Sequence, residues 1–458
     1  MFGSSSRTVI VPNAQHDSGQ MNNRTLITIV SVTVSRIMLL SIWFAALILI
    51  YRTLGKTPEG LAEAGYFAFA MTTIRLFVSW IGDTLDLEVM RRVPMLIESD
   101  RPAAFAAWRA ATAIRLAAAL LVGAVLIAVS EPLGRIFMDA QNRWILWYCG
   151  AGTMAEVLIR AELSYLQASE SYYKFLKLEG LWQAIRFLAI AVLAAAGYLD
   201  GHSAVAAYVG SSVAAAVIGV IVLPRGLVWP FTLARSDVIS VLNYIKWIVP
   251  ALGVAAFSER IDLYLIKYFQ GAAAAGLYGA VLSLALIPDA ISGFLATTLQ
   301  PRITRLHRDG KFLQFFAWFS WISLPLGLAA IILTVVLGEW VVNLLLGVAY
   351  APAAPAFILM AIATLFWLAL TPLPLSLIAL VRPQLLFKIT VVSGIAGIGL
   401  RIFMIPWLGL MGAAISLLIL RSVLAIFLVA ASRRMHHDIP EPPSDSLAQE
   451  GDVAKPVS

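Results

Sequence analysis

About twelve stretches of roughly twenty apolar residues, parted by short polar or Pro/Gly breaks, run through this sequence. A helix rises about 1.5 Å per residue, so each stretch is long enough to cross the roughly 30 Å hydrocarbon core of a bilayer. The windows are 28–51, 65–88, 105–129, 143–167, 178–198 and 204–223, then 244–269, 276–299, 313–337, 355–380, 386–405 and 411–431. Breaks as tight as 199–203 and 270–275 point to helical hairpins, and no segment alternates like a strand of a membrane β-barrel. The chain therefore reads as an all-α integral membrane protein. Composition agrees: 60% of the 458 residues are hydrophobic, 13% are charged, and the mean hydropathy is +0.86. Soluble domains carry about 25% charged residues, so neither a cytosolic enzyme nor a disordered chain fits.

Lysine and arginine set the sidedness of such a chain. One set of loops and ends holds most of them, including Arg91, Arg92, Arg101, Lys174, Lys177, Arg225, Arg235, Arg302, Arg305, Arg308, Lys311, Arg433 and Arg434. The opposite set has little more than Arg52, Lys56, Arg135 and Arg143. Both termini are thus expected in the cytoplasm. The net charge of +7 follows from this topology and calls for no nucleic acid. The expected division is a cytoplasmic N-terminal tail (1–27), a six-helix lobe (28–224), a cytoplasmic linker (225–243), a second six-helix lobe (244–431) and a disordered cytoplasmic tail (432–458). The first twenty residues hold no apolar core of signal-peptide type, and Met21 is a plausible alternative start.

Several chemistries lack their residues. Cys149 is the only cysteine, so no intrachain disulfide forms, and no His, Cys or carboxylate spacing suggests a metal site. No cofactor is expected. Gly55-Lys56-Thr57 resembles the end of a phosphate-binding loop. The glycine required five positions earlier is Ile50, and a membrane helix precedes it in place of a strand.

The halves share a signature. Ala62-Glu63-Ala64-Gly65-Tyr66 opens the second window, and Ala273-Ala274-Ala275-Gly276-Leu277-Tyr278 opens the eighth. Each is followed by a basic turn, Arg91-Arg92 and Pro301-Arg302. Repeats with an even number of spans share an orientation and enclose a central cavity, where repeat-built transporters place their substrates.

Ionisable residues inside the windows cost about 2.5–3.5 kcal/mol each on insertion scales, so they face protein or water. Arg36 lies about 12 Å along the first span, beside Thr28, Ser31 and Ser35. Thr72, Arg75, Ser79, Asp83 and Asp86 form one stripe of the second. Thr153, Glu156, Arg160, Ser164 and Gln167 line one face of the fourth, with Glu156 and Arg160 at the i, i+4 spacing of an intrahelical pair. The seventh carries Lys246, Pro250, Gly253, Phe257, Arg260, Tyr264 and Lys267, flanked by Glu259 and Asp262. Asp83 and Asp86 are placed to cap the helix or pair with Arg91 and Arg92, and Lys246 and Lys267 to snorkel at the two ends of the span. Arg186, Arg401 and Arg421 are placed to reach an interface or a neighbouring helix, whereas Arg36, Arg75 and Arg260 suggest a cationic cavity. Arginine forks match phosphate oxygens, so the implied substrate bears phosphate or carboxylate.

These residues resemble the polysaccharide (O-antigen and exopolysaccharide) flippases of the multidrug/oligosaccharidyl-lipid/polysaccharide exporter superfamily. The likeness rests on Ser258-Glu259-Arg260-Ile261-Asp262, Gly271, Gly276-Leu277-Tyr278, Pro288 and Leu299-Gln300-Pro301. Leu346 to Ala354 and Pro406 to Ala414 continue it. The resemblance implies two six-helix lobes around a V-shaped cavity in the bacterial inner membrane. It also implies alternating access, with a polyprenyl-diphosphate-linked oligosaccharide as cargo during lipopolysaccharide or exopolysaccharide biosynthesis. Arg36, Arg75 and Arg260 would contact the diphosphate or sugar acids. Glu259 or Asp262 would bind a coupling H+ or Na+ or neutralise Arg260, and Pro250, Gly253, Pro288 and Gly293 would bend. Membrane lipids and polysaccharide polymerase machinery are the expected partners. The alternatives are an ion-coupled multidrug exporter and a lipid-linked peptidoglycan-precursor flippase. A polymerase or ligase is expected to carry a large outer loop, and none here exceeds about 15 residues.

Overall fold

The computed structural model describes residues 23–137, 142–293, 312–372 and 383–437, with single positions 295, 299 and 303. Side chains are not described at 23–34, 36, 37, 312, 313, 383–387 and 429–437. Most of the two expected tails and of the basic turn after Leu299 therefore lie outside the described residues.

The described residues are helical, with no strand. The first half comprises α1 (Asn23–Leu54), α2 (Pro58–Val78), a π-helical turn (Ser79–Asp83), α3 (Thr84–Leu96), α4 (Arg101–Ala128), α5 (Ser130–Phe137), α6 (Trp144–Ala168), α7 (Tyr172–Ala195) and α8 (Gly201–Val222). Two short helices follow, α9 (Arg225–Val228) and α10 (Arg235–Ile245). The second half contains α11 (Ile248–Ala285), α12 (Phe312–Leu345), α13 (Ala354–Ala369), α14 (Pro383–Leu408) and α15 (Leu410–His437). Eight helices among the described residues are long and apolar enough to cross a membrane, or nine if the bent pair α10–α11 is one span. The 25-residue α6 and the 38-residue α11 are also of spanning length, but each carries three or more ionisable residues.

Local chemistry explains the joints. Gly55-Lys56-Thr57 is a turn between helices: the Thr57 hydroxyl accepts a hydrogen bond from the Gly60 amide at 3.0 Å, and Pro58 starts α2. Asp200 and Ser203 cap α8 reciprocally. Gly271, at φ 87°, breaks α11 where the sequence suggests a hairpin loop over 270–275. The expected linker 225–243 is largely helical, formed by α9 and most of α10.

In the first half α2 is packed by α6 and α8, α4 packs on α6, and α1 on α7. In the second, α13 packs on both α12 and α15, and α14 joins α11 to α15. The halves meet chiefly along α2 and α11, where the two similar motifs lie against each other. A Cβ at Gly65 would overlap the Ala272 carbonyl, and one at Gly276 the Leu61 carbonyl. With hydrocarbon outside, no hydrophobic force drives helices together, and small residues let backbones approach closely enough for dispersion to hold them.

Candidate functional site

Two cavities meet at Arg75. The first, of about 270 Å³, lies between α1, α2 and α11. Arg75 and Thr72 reach it from α2, and Arg260 and Ser283 from α11, while Leu47, Met71, Leu263 and Leu282 make it largely apolar. Arginines 185 positions apart in sequence thus share one space. The second cavity, about 370 Å³, lies among α1, α3, α6 and α7. Leu40, Trp43 and Arg75 line both.

The charge on Arg75 is only partly neutralised. Its Nε stands 3.9 Å from Glu156 Oε2, an oxygen with no hydrogen-bond partner among the described residues. The other oxygen, Oε1, accepts from Arg186 at 3.2 Å and from the Tyr208 hydroxyl. Glu156 and Arg186 are fully buried. Arg186 lies 3.9 Å from the Tyr208 ring centre, with Trp43 and Trp182 at 4.7 and 4.6 Å, and donates to Ser211 and Ser212. One carboxylate therefore serves two guanidiniums, and the surplus positive charge is the one that faces the cavity. Arg260 has no carboxylate within 4 Å among the described residues, and its buried Nε has no hydrogen-bond partner there. Arg36 falls on α1, four residues before Leu40 and seven before Trp43, hence in the same helical register. Its side chain lies outside the described residues.

Several pairings differ from those suggested by spacing. Glu156 and Arg160 do not pair along α6: Arg160 binds Asp83 at 2.6 Å instead. Asp86 binds the buried Arg115 of α4 at 2.5 Å, while Arg91 and Arg92 turn to Glu88 and, for Arg92, to Asp237. Asp262 does not neutralise Arg260. It is buried, accepts from the Tyr278 hydroxyl and lies 3.9 Å from Arg401. Glu259 is exposed, with no cation within 4 Å among the described residues. Lys246 is exposed, but Lys267 does not snorkel: it is buried over the rings of Tyr66 and Phe69, at 4.4 and 4.5 Å. Across a helix interface a desolvated charge takes the nearest counter-charge, and i, i+4 spacing does not determine which that is.

The expected bend points have varied settings. Pro250 is the third residue of α11, just past a 55° bend from α10. Gly253 makes room for the Trp80 indole, which donates to the Val249 carbonyl at 2.9 Å. Pro288 follows the helix interruption at Leu286, and a Cβ at Gly293 would meet nothing within 4 Å among the described residues. Cys149 is buried, and the described residues include no cluster of metal-ligating groups.

Other residues escaped the sequence reading. Glu179, Trp182 and Gln183 form one face of α7 with Arg186, at steps of three, one and three; all four lie inside the 178–198 window, and this helical spacing is the signal that marks them. Glu162 is buried against Gly219 of α8, with neither oxygen hydrogen-bonded among the described residues. No spacing signal singles it out.

Residues 94–355 match a family described as polysaccharide biosynthesis protein. No curated protein matches in sequence. Among solved structures, an inward-facing multidrug resistance MATE family transporter of the MOP superfamily superposes with a TM-score of 0.69 at 13% identity, covering 86% of this chain and 94% of its own. The lipid II flippase MurJ, in an inward closed conformation, gives 0.69 at 11% identity, covering 88% and 87%. A MOP superfamily transporter from Pyrococcus furiosus gives 0.62 at 13% identity, covering 90% and 96%. The shared feature is the fold.

Proposed function

Since the chain belongs to the polysaccharide biosynthesis protein family and has the fold of MOP superfamily transporters, we propose that it flips a polyprenyl-diphosphate-linked oligosaccharide across the bacterial inner membrane. In this reading it is a transporter and no enzyme, built of about twelve spans in two six-helix lobes, 28–224 and 244–431. The segment 225–243 and both termini lie in the cytoplasm. The reading draws its main support from Arg75 and Arg260, two incompletely neutralised cations facing one cavity from separate halves of the chain.

The mechanism follows from their surroundings. A diphosphate entering the cavity loses water, and the guanidinium forks replace that water with charge-assisted hydrogen bonds. The apolar remainder of the wall keeps the local dielectric low, which strengthens those bonds. Arg75 sits on α2 and Arg260 on α11, so an anion bridging them couples the two lobes, and rocking them about the α2–α11 seam would carry the head group to the outer leaflet. The polyprenyl tail stays in the lipid. Arg36 joins these two as a third candidate contact, and Glu259, exposed and without a cation partner among the described residues, is the candidate site for a coupling H+ or Na+.

The test is translocation of lipid-linked oligosaccharide in proteoliposomes. Arg75→Ala and Arg260→Ala should each lower flipping at least ten-fold at normal protein levels, while Arg260→Lys should lose less because it keeps the charge. Unchanged flipping in both alanine variants would exclude the proposed role. Transport of cationic drugs in place of the glycolipid would favour the multidrug exporter, and transport of a lipid-linked peptidoglycan precursor the other flippase.

A further inference from the structure

The second cavity has a chemistry unlike the first. At about 370 Å³ it lies at the small end of ligand sites, which run about 300–1,000 Å³. Polar groups from four helices face it: Arg75 from α2, Asp86 from α3, Arg160, Ser164 and Gln167 from α6, Glu179 and Gln183 from α7. Rings of Trp43, Trp182 and Phe175 complete the wall. Amide groups both donate and accept, and Gln183 Oε1 is buried without a hydrogen-bond partner among the described residues, so the wall has an acceptor to offer.

Asp86 and Arg160 are held in ion pairs, Glu179 adds a further carboxylate, and the surplus on Arg75 is the charge the first cavity uses. Arg160 is held by Asp83 at 2.6 Å, Asp86 by Arg115 at 2.5 Å, and Arg75 shares Glu156. Nothing here calls for a second anion, and desolvating two amide side chains against a lipid chain would be a cost without return. Rings beside hydrogen-bonding side chains suit a molecule with apolar C–H faces and a rim of hydroxyls. Because Arg75 lines both spaces, a diphosphate held between Arg75 and Arg260 delivers whatever is bonded to it into this one. We propose that the cavity between α1, α3, α6 and α7 binds the sugar next to the diphosphate, and that it takes an uncharged, hydroxyl-rich sugar through Gln167 and Gln183.

This rests on the transport reading above, and one binding experiment separates the two. The protein, in lipid nanodiscs free of glycoside detergent, is titrated with three probes. They are bare polyprenyl diphosphate, the same carrier with a neutral dihexose, and the carrier with a hexuronate as its first sugar. The wild type should bind the neutral glycolipid about ten-fold more tightly than the bare carrier, as expected for two buried hydrogen bonds. The double variant Gln167→Leu/Gln183→Leu should lose that advantage while binding the bare carrier as before, which also shows that it is folded. Should the double variant unfold, each single variant should lose part of the advantage. Two results overturn the inference alone: a double variant that keeps the full preference, or a wild type that binds bare and glycosylated carriers equally. A hexuronate probe bound as tightly as the neutral one overturns the uncharged assignment. A wild type that binds no carrier at all removes the transport reading instead.

Discussion

Glu156 holds the buried charge of the first half in balance. Its two oxygens face Arg186 and Arg75, both from other helices, and removing it would leave a fully buried guanidinium with aromatic and hydroxyl neighbours only. Breaking a buried pair from one side costs about 3–5 kcal/mol. Glu156→Ala should therefore lower the unfolding free energy by about that much in detergent, and a loss below about 1 kcal/mol would refute the shared-carboxylate picture. Glu162 is the contrasting case, for it has burial without partners. Replacing it by its uncharged isostere, Glu162→Gln, should leave thermal stability unchanged or raise it, because an uncompensated buried carboxylate is a cost. Neither role was visible in the sequence. The i, i+4 rule marked Glu156 as a partner of Arg160, yet the burial that governs Glu156 comes from α7 and α8.

Helix faces tell a similar story one scale up. The stripe Thr72, Arg75, Ser79, Asp83 and Asp86 has regular helical spacing, but the π turn at Ser79–Asp83 takes an extra residue into one turn and so shifts the register between its two ends. Thr72 and Arg75 face the inter-half cavity and Asp83 and Asp86 reach Arg160 and Arg115, while Arg75 and Asp86 both line the second cavity. The seam between α2 and α11 was legible as a pair of similar motifs, though not as a contact. Gly276→Leu would place a side chain into the Leu61 carbonyl, and over-packing of this kind costs about 1–3 kcal/mol. A fall in melting temperature of the purified protein is expected. An unshifted melting curve would mean that the helices are not so close.

For the molecule as a whole, the proposed alternating access requires ties that can break. Two lie where the end of α1 meets the second half: the Tyr350 hydroxyl donates to the Tyr51 carbonyl at 2.9 Å, and Arg52 donates to the Leu344 carbonyl at 3.2 Å. The scarcity of lysine and arginine places this end on the outside in the proposed topology. Removing both ties with Tyr350→Phe and Arg52→Ala should shift the population toward an outward-open form. The single native cysteine is buried, so Leu282→Cys in the cavity gives a clean label site. Labelling by an impermeant maleimide from outside should rise several-fold in the variant, and no rise would dissociate these ties from gating.

Apolar run lengths and the residues between them dictate that this chain is helical and lives in a bilayer, since crossing hydrocarbon is a demand made along the chain. That Arg75 and Arg260 fall inside long apolar stretches was equally plain, because position along a stretch is counted in residues. Which carboxylate answers which guanidinium, and which cation is left facing the cavity, depended on helix packing. Those pairings are settled by distances across interfaces, and a desolvated charge responds to what lies opposite it, however far away in the chain.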